Sequence, residues 1–133
     1  MCMATMMICI EDEIYEYEGV RFLGLGGSNR YKPGDNQYTQ KEMTKRVKKL
    51  WWKLKRNKGF DVLVTHSPAK GLHDGEDICH TGFDVFNRLI EQYRPKYFVH
   101  GHVHMSYGRQ FVRLDKVGET TVINAYEKYI VEI

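Results

Sequence analysis

The sequence predicts a mixed α/β fold in a single domain spanning residues 1–133. Two continuous apolar runs, residues 60–66 and 96–104, are typical of strands buried on both faces. A helix is predicted over residues 83–92, between the two runs, so the three elements form a βαβ unit with parallel strands. Alternating segments on either side of this unit predict hairpins, which makes the expected sheet mixed and flanked by helices.

The chain before the βαβ unit begins with strand patterns. Residues 5–10, 13–18 and 20–26 are each predicted as strands, and the last two are joined at Glu18 and Gly19 as a hairpin. Residues 26–39 are punctuated by glycine, proline and asparagine and are predicted as a loop.

An amphipathic helix is predicted over residues 40–57. Thr39 followed by Glu42 forms a capping box at its start. Apolar residues then recur at the spacing of one helical face: Met43, Val47, Leu50, Trp51 and Leu54.

Charge is unevenly distributed around this helix. Nine of the twenty Lys and Arg residues fall between Lys41 and Lys58, whereas five acids lie between Glu11 and Glu18. The simplest interpretation of the basic side is a solvated helix face. The alternative is a nucleic-acid partner, which the density of lysines and Trp52 would support.

The second half of the chain completes the predicted sheet. Phe83, Phe86, Leu89 and Ile90 are expected to face inward from the helix that Pro95 ends. Three antiparallel strands are predicted to finish the chain, over residues 109–115, 119–126 and 128–133.

Composition excludes several classes of protein. No apolar run is long enough to cross a bilayer, so no membrane partner is expected. The first ten residues lack a basic start and a cleavage pattern, which argues against a secretory signal. Cys2, Cys9 and Cys79 are odd in number and lack metal-binding spacing, which favours reduced thiols and a cytoplasmic location.

Histidines follow both buried strands of the βαβ unit. Because parallel strands end at the same edge of a sheet, His66 is expected to lie near His102 and His104. The latter two are two residues apart and project to the same side of an extended chain, while Gly101 permits close approach of the backbone. Three imidazoles suit Zn, Mn, Fe or Ni, so these residues predict a metal site.

Two other histidines have a simpler interpretation. His73 and His100 are predicted to be surface or hydrogen-bonded residues rather than metal ligands.

The segments "LVTHSP" and "HDGEDICHTGFDVFNRLIEQYRPKYFVHGHVH" resemble the C-terminal half of calcineurin-like metallophosphoesterases, whose last two metal motifs are a histidine after a buried strand and GHxH. Residues 24–39 and 122–125 resemble the branch of small cytoplasmic phosphoesterases, and the resemblance extends from about Ile14 onward. It implies a partial β-sandwich with flanking helices.

The resemblance also implies a cofactor and roles for residues. The family hydrolyses phosphoesters with two divalent metal ions; here His66 and His102 would hold one and His104 the other. Asp77 and His80 match positions of this branch, where they either line the substrate pocket or cap the helix entered near Gly82. No residue is assigned a catalytic role.

Three earlier motifs of the family are not matched: DxH, GD with a bridging aspartate, and GNH. Gly34 and Asp35 form a GD pair, but it lies in the loop before the basic helix, after the point where these motifs should have ended. Three hypotheses follow. In the first, the chain is the C-terminal piece of a phosphoesterase whose N-terminal piece is supplied by another chain or is missing from this sequence, so that activity needs complementation. In the second, it is a non-catalytic interaction module that binds one metal or none. In the third, its basic helix binds nucleic acid.

Absence of the N-terminal half has a structural consequence as well. The strands at residues 60–66 and 96–104 are expected to have an unpaired edge and uncovered apolar surface. This predicts a homo-oligomer or an association with a complementing chain.

Overall fold

The computed structural model describes residues 2–3, 8–29, 37–71, 82–101 and 114–125. The strands are, in chain order, β1 Cys2–Met3, β2 Ile8–Cys9, β3 Glu13–Tyr17, β4 Val20–Leu25, β5 Ser28–Asn29, β6 Gln37–Tyr38, β7 Val62–Thr65, β8 Tyr97–His100, β9 Leu114–Val117 and β10 Thr120–Asn124. The helices are α1 Gln40–Lys49, α2 Trp51–Arg56 and α3 Asp84–Tyr93.

Six of the strands form one mixed sheet, in the order β3-β4-β7-β8-β10-β9. The four inner strands, β4, β7, β8 and β10, run parallel to their neighbours among these four. The two outer strands, β3 and β9, pair antiparallel with β4 and β10. The predicted mixed α/β class is therefore confirmed, and so is the parallel pairing of the two strands of the βαβ unit.

The predicted hairpin at Glu18 and Gly19 is also present. Tyr17 pairs with Val20, and the two residues between them have φ values of 50° and 80°. Positive φ at both central residues is characteristic of a type I′ turn, whose twist matches that of the flanking strands.

A row of apolar side chains crosses the middle of the sheet on the face that the helices cover. Adjacent strands are in register at these four positions: Leu23, Leu63, Phe98 and Val122. Phe86 of α3 packs with its ring centroid 6.2 Å from that of Phe98 and 5.3 Å from that of Phe83. Leu89 and Ile90 are also buried, which confirms the predicted inward face of this helix.

The basic segment is helical, but it is not one continuous helix. The capping box is present, because Thr39 Oγ1 accepts from the amide of Glu42 at 3.1 Å and Glu42 Oε1 accepts from the amide of Thr39 at 2.9 Å. The prediction of an unbroken helix over 40–57 is wrong at Leu50, whose amide bonds to Val47 O at 3.0 Å. This tighter i→i−3 bond divides α1 from α2.

Part of the basic side is not solvated. The guanidinium of Arg46 binds the carboxylate of Asp12, and its Cζ lies 4.4 Å from the centroid of the Tyr38 ring. Lys53 Nζ lies 2.8 Å from Glu13 Oε1. The acidic and basic segments of the sequence therefore meet in the fold, which corrects the interpretation of the whole basic side as solvated.

The expected unpaired edge of the two histidine-bearing strands is wrong. β7 lies between β4 and β8, and β8 lies between β7 and β10, so both strands are paired on each side. The outer neighbours of β7 and β8 are β4, from the β3–β4 hairpin, and β10, from the β9–β10 pair. The sequence did not indicate that these pairs of strands flank the βαβ unit. On the face away from the helices, Val64, Tyr97 and Val99 are half-buried.

An ion pair between Arg21 and Asp61 lies at the amino-terminal end of β7, the end away from His66. Arg21 Nε and Nη2 donate to the two carboxylate oxygens of Asp61 at 3.1 and 3.0 Å, and Arg21 Nη1 donates to the main-chain oxygens of Asn57 and Lys58. The hydrogen bond from Arg21 lowers the pKa of Asp61, and the same contact raises the pKa of Arg21. This pair joins β4, the end of α2 and the start of β7.

Candidate functional site

The carboxyl ends of the four parallel strands lie at one edge of the sheet, where open α/β folds bind ligands. Buried polar side chains concentrate there. Among the described residues, four of the five that are buried and polar lie at this edge: Thr65, Ser67, His100 and Asn124. Because burying a polar group is unfavourable unless it is hydrogen-bonded, this concentration marks the edge as a candidate site.

His66 lies at this edge and is exposed. Its main-chain oxygen accepts a hydrogen bond from the amide of Gly101 at 3.0 Å. The pairing of β7 with β8 therefore continues past the end of both strands. His102 follows Gly101 directly in the sequence, so the second histidine motif begins beside the first.

The remaining predicted site residues lie outside the described residues: His102, His104, Asp77 and His80, together with His73. In the part of the chain that is described, no three His, Cys, Asp or Glu side chains lie close enough together to share a metal ion. The convergence of His66 with His102 and His104 therefore stays a prediction.

His100 belongs to the interior. It is 1% exposed, its Nδ1 lies 3.2 Å from Gly101 O, and its ring centroid lies 5.4 Å from that of Phe98. Since it is two residues after Phe98, its side chain shares the face that the helices cover. These contacts agree with its interpretation as a hydrogen-bonded residue rather than a ligand.

The described residues on either side of the segment that contains Asp77 and His80 lie beside the residues that follow His66. The amide of Phe83 donates to Pro68 O at 3.0 Å, and the amide of Lys70 donates to Phe83 O at 3.2 Å. At Gly82, an added Cβ would come within 3 Å of Pro68 O, so the backbones approach here as only glycine allows. Residues 72–81 thus leave and rejoin the described structure next to the candidate site.

Gln40 connects the starts of α1 and α3, and nothing in the sequence pattern indicated it. Its side-chain amide donates to Gly82 O at 2.8 Å, and its Oε1 accepts from the amide of Asp84 at 2.9 Å. The first-turn amide at Asp84 is therefore satisfied by Gln40. Asp77 and His80 themselves lie outside the described residues, so the choice between pocket lining and helix capping stays a prediction.

Two further residues hold the loop after β4 against the site, and sequence reasoning missed both. Ser67 is fully buried, and its Oγ donates to Gly27 O at 2.8 Å. Arg46 Nη1 donates to Gly26 O, also at 2.8 Å. The only sequence signal for Ser67 is its position directly after His66. No local sequence pattern indicates the contact between Arg46 and Gly26 O.

Of the three predicted ligands, His66 alone lies among the described residues, and its imidazole suits a first-row divalent cation. Imidazole is a suitable ligand for these metals, and His66 is exposed at the strand end where the GHxH motif begins. The hydrogen bond between His66 and Gly101 sets the spacing between the two motifs before any ligand binds.

Two solved structures share this fold. One has a TM-score of 0.59 at 22% sequence identity, covering 89% of this chain and 45% of its own. TT1561 of Thermus thermophilus has a TM-score of 0.51 at 14% identity, covering 88% of this chain and 48% of its own. The six-stranded mixed sheet with flanking helices is that of a metallophosphoesterase-type fold.

A model of the calcineurin-like phosphoesterase family matches residues 9–106, which is most of the chain. The chain belongs to the calcineurin-like phosphoesterase family. Membership supports hydrolysis of phosphoesters with divalent metals at the level of the family.

Two curated relatives extend well beyond the matched region. The uncharacterized protein MJ1162 of Methanocaldococcus jannaschii is 27% identical over 126 residues, which are 90% of this chain and 54% of the relative. The UPF0046 protein C25E10.12 of Caenorhabditis elegans is 29% identical over 120 residues, 86% of this chain and 39% of the relative. The chain spans about half or less of the length of these relatives.

Proposed function

We propose that this chain supplies the histidine half of a divalent-metal phosphoesterase site. His66 and His102 would hold one metal and His104 a second, with Mn, Fe, Zn or Ni as the candidate ions. The observation that supports the proposal is the hydrogen bond from the Gly101 amide to His66 O, because it holds Gly101, the residue that directly precedes His102 in the sequence, beside His66.

The metal ions, their histidine ligands and the surrounding residues would have separate roles in the reaction. When bound, a pair of divalent ions neutralises charge on the phosphate oxygens and lowers the pKa of a bound water. Neutral imidazoles at His66, His102 and His104 would supply the donors. Ser67 and Arg46 fix the neighbouring loop through Gly27 O and Gly26 O.

We assign Asp77 and His80 to the wall of the substrate pocket. Support comes from the ends of their loop, which lie against Pro68, two residues after His66, and from the contact of Gln40 with the amide of Asp84.

The carboxylate and asparagine ligands of the complete family site would come from a polypeptide that carries the DxH, GD and GNH motifs, or from a multi-chain assembly that includes it. The half-buried side chains on the sheet face away from the helices, Val64, Tyr97 and Val99, are the surface we assign to that contact. Apolar side chains left partly exposed in this way favour association. We place the complex in the cytoplasm, in keeping with the odd number of cysteines in the sequence.

Metal binding and turnover together test this function. Mn²⁺ binding and hydrolysis of bis(p-nitrophenyl) phosphate are measured for the chain alone and for the chain mixed with a polypeptide that carries the three missing motifs. The expected result is metal binding without turnover by the chain alone, and turnover in the mixture that His102→Ala abolishes. Metal binding without turnover in the mixture would favour a non-catalytic remnant, and absence of metal binding would contradict the half-site.

A further inference from the structure

Beyond the metal site, we propose that the outer face of α1 and α2 binds single-stranded nucleic acid. This lysine–tryptophan face consists of six exposed residues: Lys41, Lys45, Lys48, Lys49, Trp52 and Arg56. With 3.6 residues per turn, they project to one side of the helical segment, opposite the buried Met43, Val47, Leu50 and Leu54.

Within the described part of the chain, the cations of this face are not paired with acids. Two cations of the same segment, Arg46 and Lys53, turn toward Asp12 and Glu13 and are partly buried. The six residues of the lysine–tryptophan face form no ion pair among the described residues. The segment has one acid, Glu42, and its carboxylate accepts from the amide of Thr39 in the capping box.

Two large aromatic rings accompany this positive surface. Trp51 is 61% exposed and Trp52 is 46% exposed. Cations lie near both rings: Arg56 Cζ is 4.9 Å from the centroid of Trp52, and Lys55 Nζ is 5.8 Å from that of Trp51. Exposed tryptophans among lysines are the combination that holds single strands, because unpaired bases stack on the rings while lysines contact phosphates.

Charge and shape favour a nucleic-acid strand over other polyanions. A membrane-surface helix needs its apolar face free to enter the lipid, whereas the apolar face here is buried against the sheet. From Lys41 to Arg56 the helical rise is about 22 Å at about 1.5 Å per residue. A strand whose bases stay stacked as in a duplex carries a phosphate about every 3.4 Å along its axis, so the face spans at most about six nucleotides of a single strand.

The test measures fluorescence anisotropy of a labelled 12-nucleotide oligothymidylate over a salt series, with EDTA present so that the result is independent of the metal site. We expect the double variant Lys45→Glu/Lys49→Glu to weaken binding at least about ten-fold and to reduce the slope of log K against log salt by about 1.4. The charge-matched control Lys96→Glu/Lys116→Glu, on other parts of the surface, should stay within about two-fold of the parent chain.

Stacking is tested separately from charge. Trp52→Ala should weaken binding about five-fold or more, whereas Trp52→Tyr should retain most of it. Circular dichroism establishes that each variant is folded. Equal losses in the control variant, an unchanged Kd in Trp52→Ala, or equal binding to base-free polyphosphate or to phosphatidylserine vesicles would each overturn the proposal.

Discussion

The amide of Gly101 donates a hydrogen bond to the main-chain oxygen of His66 at 3.0 Å, two residues beyond Val99 and Val64, the last paired residues of β8 and β7. The two histidine motifs therefore leave the sheet at neighbouring points. His66 is held to the end of the sheet by this hydrogen bond, and it is exposed to solvent. This combination suits a ligand-binding position.

Two glycines near this edge should respond differently to alanine. At Gly82 an added Cβ would come within 3 Å of Pro68 O, whereas at Gly101 it would meet His66 O at an ordinary 3.7 Å. We expect Gly82→Ala to lower the free energy of unfolding by about 1–3 kcal/mol and Gly101→Ala to change it by less than about 0.5 kcal/mol. Urea denaturation measures both, and equal effects would contradict the described approach of the loop to Pro68.

Arg46 and Lys53 are two cations of the helical segment that each bind an acid but differ in burial. Arg46 is 13% exposed and binds both Asp12 and Gly26 O, whereas Lys53 is 29% exposed and pairs with Glu13. Arg46→Met should lower the free energy of unfolding by about 2 kcal/mol, because it leaves polar partners unsatisfied. Lys53→Met should lower it by less than about 0.5 kcal/mol, as exposed pairs contribute little. A larger loss for Lys53→Met in thermal or urea unfolding would refute the anchoring role of Arg46.

The ion pair between Arg21 and Asp61 should make stability depend on pH. Because Arg21 lowers the pKa of Asp61 in the folded state, the pair stabilises the protein above the unfolded pKa, about 4, and this contribution is lost as pH falls through the folded pKa. Asp61→Asn should therefore be less stable than the parent chain at pH 7, by about 1 kcal/mol because the pair is partly exposed and screened.

Urea unfolding between pH 7 and pH 3 measures this dependence. The difference between the parent chain and Asp61→Asn should shrink toward the acid end of the series. A difference that stays constant over the whole range would mean that the ionised carboxylate does not contribute.

Much of the architecture was predictable because its signals are local. The apolar runs that became β7 and β8, the periodic face of α3, the capping box at Thr39 and the turn at Glu18 each depend on residues close in sequence. Secondary-structure propensity, helix capping and turn geometry depend on residues within a few positions of one another. These features can therefore be predicted from a single sequence.

The failures involve contacts between distant segments. The neighbours of β7 and β8 come from terminal hairpins, so the expected free edge does not exist. Arg46 meets Asp12 across 34 positions, and Gln40 meets Gly82 across 42. The break at Leu50 is local, but no glycine or proline signals it. Of the candidate site, the hydrogen-bonded state of His100 agrees with expectation, its burial was not foreseen, and the convergence of His66 with His102 and His104 stays a prediction.

Titration of Mn²⁺ into the protein, followed by the electron paramagnetic resonance signal of the free ion, tests the proposed ligand set most directly. We expect the parent chain to bind Mn²⁺, and alanine at His66, His102 or His104 to weaken binding at least about ten-fold, since each imidazole is a ligand. Alanine at His73 should leave affinity within about two-fold. Equal loss from all four replacements, or no loss from His66→Ala, would contradict a site shared by the two strand ends.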